Sequence, residues 1–158
     1  MIVLSGCAGY RLGPVNGLDA GEKSVQINPF VNKTLEPRLT DVLTLELRKE
    51  LQRDGTYQLA THGDPDLIVS GTITRYHRNE VTLASSDVLT VKDYRLTLTA
   101  QVTARERATG KVVFDQQVSG YSLIRVGNDL TSAERQAMPL LADDLAKNIT
   151  ARLSEGKW

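Results

Sequence analysis

Between Tyr94 and Arg105 the chain alternates without a break. Tyr94, Leu96, Leu98, Ala100, Val102 and Ala104 interleave with Arg95, Thr97, Thr99, Gln101, Thr103 and Arg105. Successive side chains of a strand point to opposite faces, so this period of two makes a half-buried β-strand with one apolar and one polar face. An amphipathic helix would need apolar residues three and four apart and would draw Arg95, Thr99 and Arg105 into the core. The strand therefore constrains the fold: its apolar face must be covered, and its polar face must meet water or a polar partner.

Its neighbours read as the rest of a sheet. From Asp66 to Tyr76, Leu67, Val69 and Ile73 share one face and Ile68, Ser70, Thr72 and Thr74 the other, with Gly71 allowing a bulge or a close backbone approach. After Ala108 and Thr109, Gly110 supplies the positive φ that short hairpin loops require. Val112, Phe114 and Val118 return along the sheet, and Tyr121 to Ile124 continue it. The stretch Asp66 to Ile124 is thus a three-stranded antiparallel meander. Between Tyr76 and Asp93 the alternation loosens, consistent either with a hairpin extending past the sheet or with a loop.

Two helices flank these strands. Leu39, Val42, Leu43, Leu47 and Leu51 recur on one helical face, after Pro37 in the first turn and before Gly55 as a left-handed stop. A four-turn leucine stripe beside strands covers a sheet. The second helix spans Thr131 to Leu153 with Met138, Leu141, Leu145, Ile149 and Leu153 as its stripe. Thr131 and Glu134 have the spacing of a capping box, and Pro139 should kink the helix or mark its start. Ser24 to Phe30 forms a short first strand and Thr56 to Ala60 another. The element order predicts an α+β two-layer sandwich, a mixed and mostly antiparallel sheet with two helices on one face.

Chemistry is sparse. The 158 residues carry 19 basic and 19 acidic side chains, so no basic excess points to nucleic acid. His62 and His77 lack a cysteine partner, which argues against zinc. No nucleophile elbow, phosphate loop, dinucleotide fingerprint or H-E-x-x-H spacing occurs. Asp143 and Asp144 sit about 100° apart on a helix and cannot act as a carboxylate pair. The reading is a non-enzyme with no catalytic residue, metal or cofactor. Arg75, Arg78, Lys92, Arg95, Arg105 and Arg107 give the meander a modest basic character, offset by Glu80, Asp87, Asp93 and Glu106. That pattern suits a solvated outer face or one that contacts anions.

The N-terminus adds a second signal. Leu4, Ser5, Gly6 and Cys7 have the form of a bacterial lipobox, in which the cysteine is acylated and everything before it removed. A buried cysteine opening a strand is the blander reading. Residues 1–6 are too short for a signal h-region and have no basic n-region, so the signal peptide is expected to begin upstream or to have been trimmed. Residues 7–22, with four glycines and a proline, read as a tether. Residues 23–154 form the single domain.

Several motifs in order carry a family likeness. They are Cys-Ala-Gly-Tyr-Arg-Leu at 7–12, Asn-Pro-Phe-Val-Asn-Lys-Thr at 28–34 leading into Glu-Pro-Arg-Leu-Thr-Asp at 36–41, and Asp-Leu-Ile-Val-Ser-Gly-Thr-Ile at 66–73. Asp-Tyr-Arg-Leu-Thr-Leu-Thr-Ala at 93–100 and Thr-Gly-Lys-Val-Val-Phe at 109–114 follow. Together they resemble the lipopolysaccharide-assembly lipoprotein family LptE. The resemblance implies an outer-membrane lipoprotein on the periplasmic side, anchored by palmitate and further acyl chains on Cys7. It also implies a 1:1 complex in which the protein plugs an LptD-type β-barrel, assists its assembly and lipopolysaccharide insertion, and binds lipopolysaccharide directly. Contact with that lipid is attributed to basic side chains near the sheet and its loops; Lys92, beside the long connection, and Arg125, after the last strand, are the candidates. The segment Ser24 to Ile73 is also similar to lipoprotein adaptors of peptidoglycan synthases or secretion channels, the alternative reading.

Overall fold

In a computed structural model the described residues are 19–81, 92–126 and 129–156, Lys92 by its backbone alone. They form β1 (Lys23–Ile27), β2 (Val31–Asn32), α1 (Leu39–Asp54), β3 (Tyr57–Leu59) and β4 (Leu67–Val81), then β5 (Lys92–Glu106), β6 (Val112–Val126) and α2 (Leu130–Glu155). The strand order is β3-β1-β4-β5-β6, with β2 paired to β4 beyond the end of β1. β1 and β2 run parallel to β4, and β1 parallel to β3, while β4, β5 and β6 make the antiparallel meander. The fold is therefore the α+β arrangement expected, with the parallel strands joined through α1 as a crossover requires.

The apolar face of the meander is sealed. Leu96, Leu98, Ala100, Val102 and Ala104 of β5 are fully buried, with Leu67, Val69 and Ile73 from β4 and Phe114, Val118 and Ile124 from β6 beside them. Leu39, Leu43, Leu47 and Leu51 of α1 and Leu141, Leu145, Ile149 and Leu153 of α2 close over these strands in one core. Each large side chain contributes about 1.5 to 3 kcal/mol by leaving water, so both stripes read from the sequence are core except at Val42 and Met138, which are half-buried. The helix ends are tied together as well: the Tyr57 hydroxyl donates to the Leu153 carbonyl at 2.9 Å, and the Ser154 hydroxyl lies 2.9 Å from Asp54 Oδ1.

Local chemistry explains the boundaries, with three departures from expectation. Gly55 ends α1 in the left-handed region and returns its N–H to Leu51. α1 starts at Leu39, two residues after Pro37, because Asn32 organises the preceding turn, its amide donating to the Glu36 carbonyl at 2.6 Å. α2 is capped by Asp129, whose carboxylate accepts the Ser132 N–H at 3.1 Å; Thr131 lies inside the helix, and Glu134 is drawn away to pair with Arg78. Pro139 does not mark the start of α2 but sits in its interior. Its ring deletes one helical hydrogen bond, and the Arg135 carbonyl so released is on an exposed stretch where water can satisfy it.

The third departure is a β-bulge. Ile73 pairs with Ala100 and Arg75 with Thr99, which leaves Thr74 as an extra residue in β4. An extra residue reverses the alternation beyond it. Past the bulge Tyr76, Arg78 and Glu80 stand opposite Leu98, Leu96 and Tyr94, on the helix side, while Arg75, His77 and Asn79 take the outer side. Arg78 accordingly leaves the supposed basic outer face: it pairs with Glu134 of α2 and lies 5.8 Å from the Tyr94 ring centroid. The Tyr76 hydroxyl is raised in pKa, first by burial and then by the charges of Glu134 and Glu36.

α2 also closes the free edge of β6. Asp144 accepts the Tyr121 N–H at 2.8 Å, the Asn148 amide donates to the Ser119 carbonyl at 2.9 Å, and Arg152 reaches Gln116 at 3.2 Å. Four helical residues advance about 6 Å and two strand residues about 6.8 Å, so the step from Asp144 to Asn148 matches that from Tyr121 to Ser119 along the edge. Asp144 is thus a structural ligand of the sheet rather than a solvated charge, while Asp143 pairs with Lys147 at 2.6 Å.

Candidate functional site on the outer sheet face

With helices filling one side of the meander, the opposite face is the surface left for function, and the register lays it out in rows. Proceeding away from β1, the outer-face rows are Thr72–Gln101–Gln117, Arg75–Thr99–Ser119, His77–Thr97–Tyr121, Asn79–Arg95–Leu123 and Val81–Asp93–Arg125. The first rows are hydroxyls and amides. Thr99 is buried between its neighbours, its hydroxyl 2.9 Å from that of Ser119. The far rows combine cations with exposed apolar groups: Tyr121 and Leu123 keep 54% and 60% of their surface in water. Arg95 lies over the Tyr121 ring at 5.1 Å from its centroid, an attraction between a cation and the negative ring face.

The last row holds an ion pair. Arg125 donates from Nε to Asp93 Oδ1 at 2.9 Å and from a terminal nitrogen to Oδ2 at 3.3 Å, a forked contact. This hydrogen bond lowers the Asp93 pKa and raises that of Arg125. Val81, Asp93, Leu123, Ile124 and Arg125 line an open groove of about 420 Å³ at this end. A second groove, of about 390 Å³, opens between the starts of the two helices, with Arg38, Val42, Glu134 and Met138 in its walls.

The residues singled out from sequence are distributed unevenly. Cys7 lies outside the described residues. Lys92 opens β5 opposite Val126, and Arg125 is inside β6 opposite Asp93 rather than after the last strand. Arg75, Arg95 and Arg105 do share the outer face, whereas Arg107 turns to Asp64 at 2.6 Å. Sequence reasoning overlooked the Arg95–Tyr121 pair. Continuing the alternation of β6 from Phe114 through Val118 would have set Tyr121, Leu123 and Arg125 on the same side as Arg95.

Among the described residues no nucleophile, base and orienting group converge on this face. His77 is exposed in β4 and His62 is in the loop before it. Among the described residues no cluster of His, Cys, Asp and Glu could hold a metal ion, and no helix is long and apolar enough to cross a membrane. What the face offers is recognition: planar cations, an exposed aromatic ring, hydroxyls and amides on a rigid sheet.

Comparison with known proteins agrees with the fold. Among solved structures, the hypothetical protein CT253 from Chlamydia trachomatis superposes with a TM-score of 0.60 at 12% identity, over 84% of this chain and 95% of its own. The minor lipoprotein from Acinetobacter baumannii gives 0.55 at 20% identity, over 84% and 92%. A PelC dodecamer from Paraburkholderia phytofirmans gives 0.51 at 14% identity, over 89% and 92%. At such identities the likeness is one of fold. No curated protein matches the sequence. The family model of LptE, lipopolysaccharide-assembly, matches residues 22–153, from just before the first strand almost to the end of α2. The chain therefore belongs to the LptE lipopolysaccharide-assembly family.

Proposed function

We propose that this protein is an outer-membrane lipoprotein that joins an LptD-type β-barrel one to one, plugs it, assists its assembly and binds the lipopolysaccharide it inserts. The observation that carries the reading is the family match across residues 22–153. The physical character of the domain supports it: a rigid sheet with a polar outer face suits a barrel whose interior is polar. Cys7 carries the lipid that holds the domain at the periplasmic surface, and residues 8–22 give it reach. A single acyl chain holds only marginally, so stable anchoring takes several.

Lys92 and Arg125 are the proposed lipopolysaccharide contacts at the far end of the meander. Because Arg125 is already forked to Asp93, a phosphate there shares the guanidinium with that carboxylate, or displaces it. Exchanging both Lys92 and Arg125 for Glu should weaken lipopolysaccharide binding while leaving thermal unfolding in place; unchanged binding removes them from the site. The wider reading is tested by affinity capture from detergent-solubilised outer membranes. A large barrel recovered in equal stoichiometry supports it, whereas recovery of an inner-membrane-anchored peptidoglycan synthase in its place would overturn it in favour of an adaptor role.

A further inference from the structure

We propose that the outer face reads the phosphorylated sugar head group of the lipid, with the Tyr121 ring as the stacking platform and Arg95 and Arg75 as the phosphate contacts. This rests on the lipopolysaccharide reading above and adds which part of that molecule is recognised, and by which side chains.

Three observations converge. First, Tyr121 presents a half-exposed ring on a rigid strand, and the Arg95 cation over it restrains its orientation. A pyranose offers one face of C–H groups to such a ring and its hydroxyls to the polar neighbours Thr97 and Asn79. Second, the charge is right. The four far rows carry Arg75, Arg95 and Arg125 against Asp93 as the sole acid among the described residues, in a chain whose overall balance is neutral. Asp93 is matched by Arg125, while among the described residues Arg75 and Arg95 have no carboxylate partner. A guanidinium carries five donors, so Arg95, set against a ring rather than a carboxylate, keeps donors for a phosphate. Third, the core is out of reach of acyl chains from this side: Leu96 and Leu98, on the sheet's other face, are buried under the helices. A cationic, hydroxylated surface with one aromatic ring suits a phosphorylated glycan, and its apolar part is confined to Leu123 and the groove beside it.

The test is binding of three probes to the full chain by calorimetry: intact lipopolysaccharide, its completely deacylated phosphorylated oligosaccharide, and that oligosaccharide after phosphatase treatment. The wild type should bind the first two and lose about tenfold in affinity on the third, the scale of a charged hydrogen bond. Tyr121→Ala and Arg95→Gln should each weaken the deacylated probe by about tenfold, and Tyr121→Phe, which keeps the ring, should not. Unchanged urea midpoints for these exposed sites confirm folding. Binding of intact lipopolysaccharide without the deacylated glycan overturns the inference and leaves the broader reading standing. Binding of neither overturns both. Equal binding of the glycan by wild type, Tyr121→Ala and Arg95→Gln overturns the assignment of these side chains.

Discussion

The two faces of β5 are made by alternate residues of one strand and have opposite fates. On the helix side Leu96, Leu98, Ala100, Val102 and Ala104 have no exposed surface. On the other side Arg95, Thr97, Gln101 and Thr103 keep water, and Thr99 shares its hydroxyl with Ser119. The difference separates stability from recognition: one face is saturated by two helices and free to do nothing else, while the other contributes little to folding and is free to bind. Adjacent residues put this to the hardest test. Leu98→Asp leaves an unpaired charge in the core and should cost about 4 kcal/mol or more, enough to unfold the domain. Thr97→Asp, one residue away on the outer face, should change stability by no more than about 0.5 kcal/mol. Urea denaturation of both variants decides it, and comparable losses would mean that the outer face is also structural.

A smaller effect tests where the two regions meet, at the β6 edge under α2. Gly120 is buried there, and a Cβ on it would stand 2.6 Å from the Leu145 Cα. The obstacle is helix backbone, which cannot rotate away. Gly120→Ala should therefore lift α2 from the strand, strain the Asp144 and Asn148 contacts to Tyr121 and Ser119, and cost about 1 to 3 kcal/mol. An unchanged unfolding midpoint would show that the helix is not seated on the edge as described. The strained contact is to the Tyr121 backbone N–H, while the Arg95 and Tyr121 side chains stay on the outer face, so glycan binding by the folded fraction should persist.

Much of this was legible in the chain because the period of two in β5 and the leucine stripes of α1 and α2 are local signals that burial obeys. The meander, the two-layer order and the Gly55 and Gly110 turns followed from them. Three things did not follow, each because its cause is distant in sequence. The bulge at Thr74 depends on how β4 pairs with β5, and it alone decides that Arg75 faces out and Arg78 faces Glu134. Asp129 outcompetes Thr131 as a cap through its extended backbone and a carboxylate placed to reach Ser132. Asp144 resembles a solvated helix charge until β6 supplies an unpaired N–H. The candidate site was half visible: the polar side of β5 was evident, but its partnership with Tyr121 needed the register of β6, and Arg125 needed Asp93 across the ladder.

The smallest predicted effect lies where the parallel part of the sheet begins. Asp66 accepts both the backbone N–H and the hydroxyl of Ser24 at 2.7 Å, and its own N–H is 3.0 Å from that hydroxyl. These bonds stabilise the carboxylate and hold its pKa below the ordinary value, the backbone contact contributing most and the hydroxyl next, against a smaller opposing cost of burial. A depressed folded-state pKa means that the unfolded chain binds the proton first. The resulting stability is fully present above the ordinary aspartate pKa and is lost as pH falls through the folded value. Asp66→Asn keeps an acceptor oxygen but no charge. Its urea midpoint should lie slightly below that of the wild type at about pH 7, and the gap should close by about pH 2. A gap independent of pH would show that the Ser24 contacts stabilise the strand junction through hydrogen bonding alone, with no contribution from charge.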